Sequence, residues 1–286
     1  MKRVVLLGGA FTLAGSFLFS MQDALVKWLS DDFSLFQLLL IRSVVMVPVF
    51  ALICVSRWGA AGLVTQKPGA HLLRALFNLT AFLSYYYAIT RMPLVDAISI
   101  ASAYPIILAV LSGMILSEAP NGRQILAVIA GFIGVLFIIQ PTGADVDWIG
   151  ACAAIFGCIS FAGLGLYTRH LSKTESSELM LLTGALSILI VSLISAPWTW
   201  ITPDLNNLLL MLGLSVVALL GQYAITNGFR YAPVYLVGAL EYTTLVWAAL
   251  WGFLFFMEIP ATHVLIGAGI VVLSGLAVVL AERQHQ

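Results

Sequence analysis

PLVDAISIASAYPIILAVLSGMILSEAP, residues 93–120, and PVYLVGALEYTTLVWAALWGFLFFMEIP, residues 233–260, are one pattern written twice. Pro93, Glu118 and Pro120 match Pro233, Glu258 and Pro260, each pair 140 positions apart with no gap. Each block runs from a polar helix end through a proline and an apolar stretch to Glu-x-Pro, and a Gly-rich apolar stretch follows. Crossing a ~30 Å hydrocarbon layer takes roughly 20 mostly apolar residues in a helix. Working outward from the two blocks gives ten such spans: 4–28, 34–56, 70–90, 94–116, 123–140, 148–169, 177–200, 206–229, 233–256 and 262–281. Strand alternation is absent from them, and the longer connections (29–33, 57–69, 141–147, 170–176 and 201–205) leave no room for an extramembrane domain. The expected fold is an all-α integral membrane protein of ten transmembrane helices. Residues 1–141 form the first five-helix repeat and 142–286 the second. Five is odd, so the second repeat is inverted relative to the first.

Composition agrees. Charged residues make up 9 % and apolar residues 61 % of the 286, with a mean hydropathy of +1.04. A soluble domain carries about 25 % charge, so this surface is expected to face lipid. Net charge is zero, which excludes a global basic field for nucleic acid. Cys54, Cys152 and Cys158 lie inside apolar runs, odd in number and without a Cys-x-x-Cys pair. They read as small core residues, not as a disulfide framework or metal site. The apolar run from Val4 to about Trp28 is longer than the 7–15 residues of a cleaved signal's core, so a retained first helix is expected.

Positive charge sets the orientation. With the N-terminus in the cytoplasm, the inner ends hold Lys2, Arg3, Arg57, Lys67, Arg74, Arg123, Arg169, Lys173, Arg230 and Arg283. The outer ends hold only Lys27 and Arg91, and Arg42 falls within a span. Both termini are therefore expected in the cytoplasm.

Polar groups at membrane depth are costly, so they usually face the bundle interior or a wet cavity. Glu241, near the middle of the ninth span beside Tyr242, Thr243 and Thr244, is the most anomalous carboxylate. It reads as a substrate-amine contact or proton-coupling group ahead of a protonated or paired structural glutamate. Arg42 reads as a structural ion pair, with Asp23 or Glu241, or as a side chain snorkelling to the outer interface, ahead of a clamp for a substrate carboxylate. Asp23 sits one turn before Lys27, a pairing that a helix surface explains. On the third span His71, Arg74, Asn78, Phe82 and Tyr85 recur at three- and four-residue spacing, a polar and aromatic stripe that should face the bundle centre. The fourth span offers Ser99, Ser102 and a Tyr104-Pro105 break. The eighth offers Gln222, Tyr223, Thr226 and Asn227, as cavity lining or as polar glue between helices. Trp247 reads as a substrate wall. The Gly-rich fifth and tenth spans read as scaffold or as a homodimer face.

The order of these features resembles the drug/metabolite transporter superfamily, in its EamA-type branch, over nearly the whole chain. Carrying the resemblance are Arg42, the segment Tyr87-Ala88-Ile89-Thr90-Arg91-Met92-Pro93, Tyr104-Pro105 and Ser117-Glu118. The second half repeats them as Asn227-Gly228-Phe229-Arg230-Tyr231-Ala232-Pro233 and Met257-Glu258. One departure is Leu245 where the first half has Pro105, which puts symmetric bending in doubt. The resemblance implies export of small metabolites, often amino acids, across a bacterial inner membrane. Exporters of aromatic and other apolar amino acids look most similar.

No His-Glu-x-x-His, Gly-x-x-x-x-Gly-Lys or Gly-x-Ser-x-Gly motif occurs in the sequence. The expectation is a secondary carrier, not an enzyme, with no cofactor, metal or nucleic-acid partner. Its cavity is expected between spans one, three, four, six, eight and nine. Phe82, Tyr85, Tyr104, Phe161, Tyr223, Tyr242 and Trp247 would enclose an apolar side chain. Glu241, Asn78 and Gln222, with Ser99 and Ser102 nearby, would meet its polar groups. Pro93, Pro105 and Pro233 are the candidate hinges for rocking between the repeats. A rival lipid-modifying enzyme would need nucleophiles or metal ligands clustered at one interface.

Overall fold

A computed structural model describes residues 2–91, 100–116, 118, 120–140, 147–257, 259 and 261–285. Its described residues form eleven α-helices and one turn of 3-10 helix, Ala60–Leu63. In chain order the helices are α1 (Lys2–Leu29), α2 (Leu35–Trp58), α3 (Pro68–Arg91), α4 (Tyr104–Ile115), α5 (Gly122–Ile139) and α6 (Trp148–Leu171). They continue as α7 (Ser177–Thr199), α8 (Leu205–Tyr231), α9 (Val234–Glu241), α10 (Thr243–Phe256) and α11 (Thr262–His285). Eight segments are long and apolar enough to cross a membrane, with α9 and α10 counted together. The other two spans are α3, which carries the polar stripe, and the one that ends in α4.

Boundaries fall where side chains can satisfy the orphan N–H groups of a first turn. Ser34, Asp147, Ser176 and Asp204 cap α2, α6, α7 and α8, and Asn121 forms a full capping box with Gln124 at the start of α5. Outward faces are apolar, as lipid requires: Leu52, Leu126, Ile190 and Leu273 are all exposed.

The packing carries the symmetry of the repeat. α1 packs along α8 and α3 along α6. The repeat matches α1 to α6 and α3 to α8, so these two seams are one contact seen twice. α2 on α7, α5 on α11 and α4 on α9 are the contacts that a two-fold between the halves generates from matched helices. Small residues set the distance. A Cβ on Gly8 of α1 would lie 2.6 Å from the Ala232 Cβ at the end of α8. On the α5–α11 seam a Cβ on Gly267 would lie 2.6 Å from the Gly134 carbonyl oxygen. The glycines of the fifth and tenth spans thus pack against each other as scaffold.

Both halves break the same span. In the second, α9 ends at Glu241 and α10 starts at Thr243, with Leu245 N bonded only three residues back to Tyr242 O, at 3.1 Å. In the first, a turn at Ser102-Ala103 precedes α4, and Ile106 N bonds three residues back to Ala103 O at 3.0 Å. Subtracting the 140-residue repeat from Tyr242 gives Ser102. The missing proline at Leu245 therefore does not spare the second half its break. Pro105 has a packing role as well: a Cβ on Gly238 of α9 would lie 3.1 Å from the Pro105 Cβ, so the two broken spans cross there. Cys54 and Cys158 are buried, but Cys152 is exposed on the outer face of α6, which corrects its assignment to the core.

Candidate functional site

Five polar side chains from both halves converge on one narrow cavity. Its walls are Arg42, Ser43 and Met46 of α2, Arg74 and Asn78 of α3, Leu181, Gly184, Ala185 and Ile188 of α7, and Gln222 of α8. Sequence periodicity places Arg74 and Asn78 one turn apart on α3, and their neighbours across the space are small. Arg42, Arg74 and Asn78 are 6 %, 3 % and 3 % exposed. Arg42 Nη1 donates to Gln22 Oε1 of α1 at 3.3 Å, and its charge acts on Asp23. Arg74 Nε donates to Thr168 Oγ1 of α6 at 2.9 Å and Nη1 to the Met180 carbonyl oxygen of α7 at 2.7 Å.

Polar contacts between the halves close the bundle at each end. At the arginine-rich end, Arg169 of α6 donates from Nε to Glu118 at 2.9 Å and from Nη1 to the Phe229 and Arg230 carbonyl oxygens at 3.1 and 2.6 Å. Arg57 of α2 pairs with Glu178 of α7. Glu175 accepts from Thr65 at 2.8 Å and lies 3.9 Å from His71. At the opposite end, Gln37 of α2 exchanges two hydrogen bonds with the Ile201 backbone, at 2.6 and 2.9 Å. Arg91 meets Asp147 there at 3.8 Å. Asp147 caps α6, and the N–H groups of Gly150 and Ile149, with Arg91, hold its carboxyl below the usual carboxylate range.

The anticipated residues separate into groups. Arg42, Asn78 and Gln222 line the cavity. Phe82, Phe161 and Tyr104 form an aromatic cluster among α3, α6 and α4, with ring centroids 5.7 Å apart for Phe82–Phe161 and 6.2 Å for Tyr104–Phe161. Tyr85 is half-buried on α3, where Gly157 admits the two backbones, and Ser102 lies in the turn before α4. Tyr223 packs on the α2–α7 core, and its carbonyl accepts from Asn227 Nδ2 at 2.9 Å. Asn227 in turn accepts from Ser177 of α7, so this pair links helices. Glu241 and Trp247 belong to a third group around the break in the ninth span. Glu241 Oε2 and Trp247 Nε1 are buried without a hydrogen-bond partner among the described residues, and the Trp247 ring meets Phe17 of α1 at 5.3 Å. Asp23 is exposed on α1.

Three placements depart from expectation. Tyr242 is 4 % exposed and turns toward α5 and α11, where a Cβ on Gly131 would touch its ring at 2.8 Å. It belongs to the buried core cluster there. Second, α2 and α7 wall the cavity in place of spans one, four, six and nine. Ser43, Gly184 and Ala185 are too small to fill the gap between these two helices. Third, Arg74 counts toward the positive charge at a span end, yet it is buried in the wall. Its three- and four-residue spacing from His71 and Asn78 was the signal. Pro233 caps α9 at its junction with α8. Pro93 and Ser99 lie outside the described residues, as do Glu258 and Pro260.

A model of the EamA-like transporter family matches residues 6–140 and again 148–280. The pseudopaline exporter of Pseudomonas aeruginosa is 26 % identical over 275 residues, covering 94 % of this chain and 95 % of its own. The S-adenosylmethionine uptake transporter of Rickettsia prowazekii is 26 % identical over 269 residues, covering 93 % and 90 %. One crystal structure superposes with a TM-score of 0.82 at 17 % identity, covering 98 % of this chain and 99 % of that one.

Proposed function

We propose, since this chain belongs to the EamA-like transporter family, that it exports small metabolites, namely amino acids with aromatic or apolar side chains, across the bacterial inner membrane. Transport of small metabolites is what the family does, and the relatives are named as transporters. Amino acids as cargo, and the outward direction, are our reading. The observation that carries it is the convergence of Arg42, Ser43, Arg74, Asn78 and Gln222, from both halves, on one narrow cavity. Such groups orient a zwitterion, and the aromatic cluster of Phe82, Tyr104 and Phe161 receives its side chain.

Access alternates as the halves rock. Opening toward the cytoplasm breaks Glu118–Arg169 and Arg57–Glu178; opening outward breaks Gln37–Ile201 and Arg91–Asp147. Pro93 and Pro233, at the starts of the two broken spans, serve as hinges, and the crossing at Pro105 and Gly238 is the pivot. Glu241 is the coupling group: its buried, unpartnered carboxyl oxygen can take up and release a proton as its surroundings open. The first repeat, 1–141, and the second, 142–286, are the moving units.

Counterflow of radiolabelled phenylalanine, leucine and methionine into proteoliposomes tests this, with wild type beside Asn78→Ala. Saturable exchange by wild type, weakened in the variant, is expected. Folded wild-type protein that exchanges no amino acid would sink the substrate assignment.

A further inference from the structure

Arg74 enters the cavity from α3 with only part of its guanidinium committed. Nε serves the Thr168 hydroxyl and Nη1 the Met180 carbonyl, at 2.9 and 2.7 Å. Among the described residues it pairs with no carboxylate, and Nη2 has no hydrogen-bond acceptor. The side chain is nonetheless buried, at 3 % exposure. Room for it is built in: a Cβ on Gly184 of α7 would lie 3.3 Å from Nη1.

The charges around it are already matched elsewhere. Asp23 answers Arg42 from α1. Glu178 pairs with Arg57. Glu175 is held by Thr65 and His71. The cavity wall itself holds two guanidiniums and no acid. One buried positive charge thus stands uncompensated, a costly arrangement unless an anion completes it. Tying α3 to a hydroxyl and a carbonyl needs only neutral donors, so helix packing does not call for the charge.

We infer that Arg74 binds a carboxylate of the transported molecule, with Asn78 and Gln222 donating beside it. The inference rests on the carrier reading above and narrows it to cargo bearing a carboxylate. A carboxylate fits better than a phosphate. Only the Nη2 side of Arg74 is uncommitted, and the charge to be balanced is a single one. A guanidinium is well suited to that geometry.

The test uses the full-length protein in detergent and follows thermal unfolding with matched pairs: phenylalanine and phenylalaninamide, leucine and leucinamide, methionine and methioninamide, and inorganic phosphate alone. A ligand that binds the folded state raises the melting temperature. At least one acid should stabilise wild type while its amide and phosphate do not. Loss of a charge-assisted bond weakens binding about 10–100-fold, so Arg74→Gln should abolish the acid's effect, and Arg74→Lys should keep part of it. Gly184→Ala, which crowds Nη1 without removing the charge, covers the case in which Arg74→Gln does not fold: it should weaken the acid's effect. Equal shifts from acid and amide, a phosphate shift matching the acid's, survival of the acid's effect in Arg74→Gln, or no shift from any acid would overturn the assignment. Counterflow with the same compounds separates the two readings. Amides exchanged as fast as acids would leave the carrier standing and remove Arg74 from its site. No exchange of any compound would remove the carrier reading as well.

Discussion

Glu118→Gln should loosen the arginine-rich end without unfolding the protein. Glu118 Oε1 accepts from Arg169 Nε at 2.9 Å, both side chains are 17 % exposed, and Arg169 also holds two carbonyls, of Phe229 and Arg230, in the last turn of α8. The substitution keeps the shape and the possible hydrogen bond but removes the charge. A hydrogen bond to a charged group contributes about 1.5–3 kcal/mol. Partial exposure and the two surviving carbonyl contacts bring the expected loss to about 1–2 kcal/mol. In a two-state opening equilibrium that is a factor of roughly 5–30. The assay is labelling of a Ser43→Cys reporter in the cavity wall, in a background without Cys54, Cys152 and Cys158. An impermeant maleimide is applied from the arginine-rich face of vesicles of known sidedness. When opening is fast relative to labelling, the rate follows the open population. Glu118→Gln should raise it by that factor, and labelling from the other face should fall. An unchanged rate from the arginine-rich face would refute the claim that this ion pair holds the end shut.

Gly8→Ala should destabilise by about 1–3 kcal/mol in denaturant unfolding, because its Cβ would meet the Ala232 N at 2.7 Å and the Tyr231 C at 2.9 Å, backbone atoms that cannot turn aside. Gly269→Ala, which meets nothing within 4 Å, should instead be neutral or stabilising by about 0.5–1 kcal/mol. Asp147 is held below its ordinary value of 3.8, chiefly by the Gly150 N–H. A group lowered on folding lends stability above its unfolded value and loses it as pH falls through the folded one. The Asp147 contribution should therefore be full at neutral pH and fade only below about 3.8, and acid titration of melting temperature should show a smaller loss there in Asp147→Asn. Glu241→Gln should retain exchange of amino acids but remove its dependence on a pH gradient; a variant still driven by the gradient would take coupling away from this carboxyl.

The helices were legible because membrane insertion writes itself into composition. Twenty apolar residues in a row admit few alternatives; the caps that fix where four helices begin, at Ser34, Asn121, Ser176 and Asp204, come from the structure. The repeat was legible because Pro93, Glu118 and Pro120 recur without a gap. The site was legible only in part. Periodicity along one helix put Asn78 and Arg74 on one face, but it cannot say which helix that face meets. The small residues of α7 that open the cavity, Gly184 and Ala185, look from the sequence like any others. Tyr242 illustrates the converse. Adjacent to Glu241 in the chain, it points about 100° around the helix from it, and it packs in the α5–α11 core. Nothing in the sequence marks which face of the span meets that core, nor the break between α9 and α10, since Leu245 stands where the first half has Pro105.

An inverted repeat makes the two faces of a carrier nearly alike in backbone, so side chains must set which face is sealed. The ends of this bundle are sealed by different chemistry. Beside the arginine-rich end stand ion pairs, Glu118–Arg169 and Arg57–Glu178. Toward the other end, where α1 gives way to α2, Leu29, Phe33 and Leu38 pack with Met211 and Leu214 of α8 in a buried apolar cluster. Opening the first set exposes charges that water accepts readily, so part of the lost attraction returns as hydration. Opening the second would also part Arg91 from Asp147, which water again offsets, but it would in addition expose this apolar area, for which nothing is returned. The cavity between them holds a guanidinium that no residue of the wall neutralises. A carboxylate arriving there, as inferred above, would change the electrostatic balance closest to Glu118–Arg169 and Arg57–Glu178. On that inference the asymmetry that the repeat lacks in its backbone would be supplied by Arg74, Glu118 and Arg169, with cargo charge the quantity to which the arrangement responds.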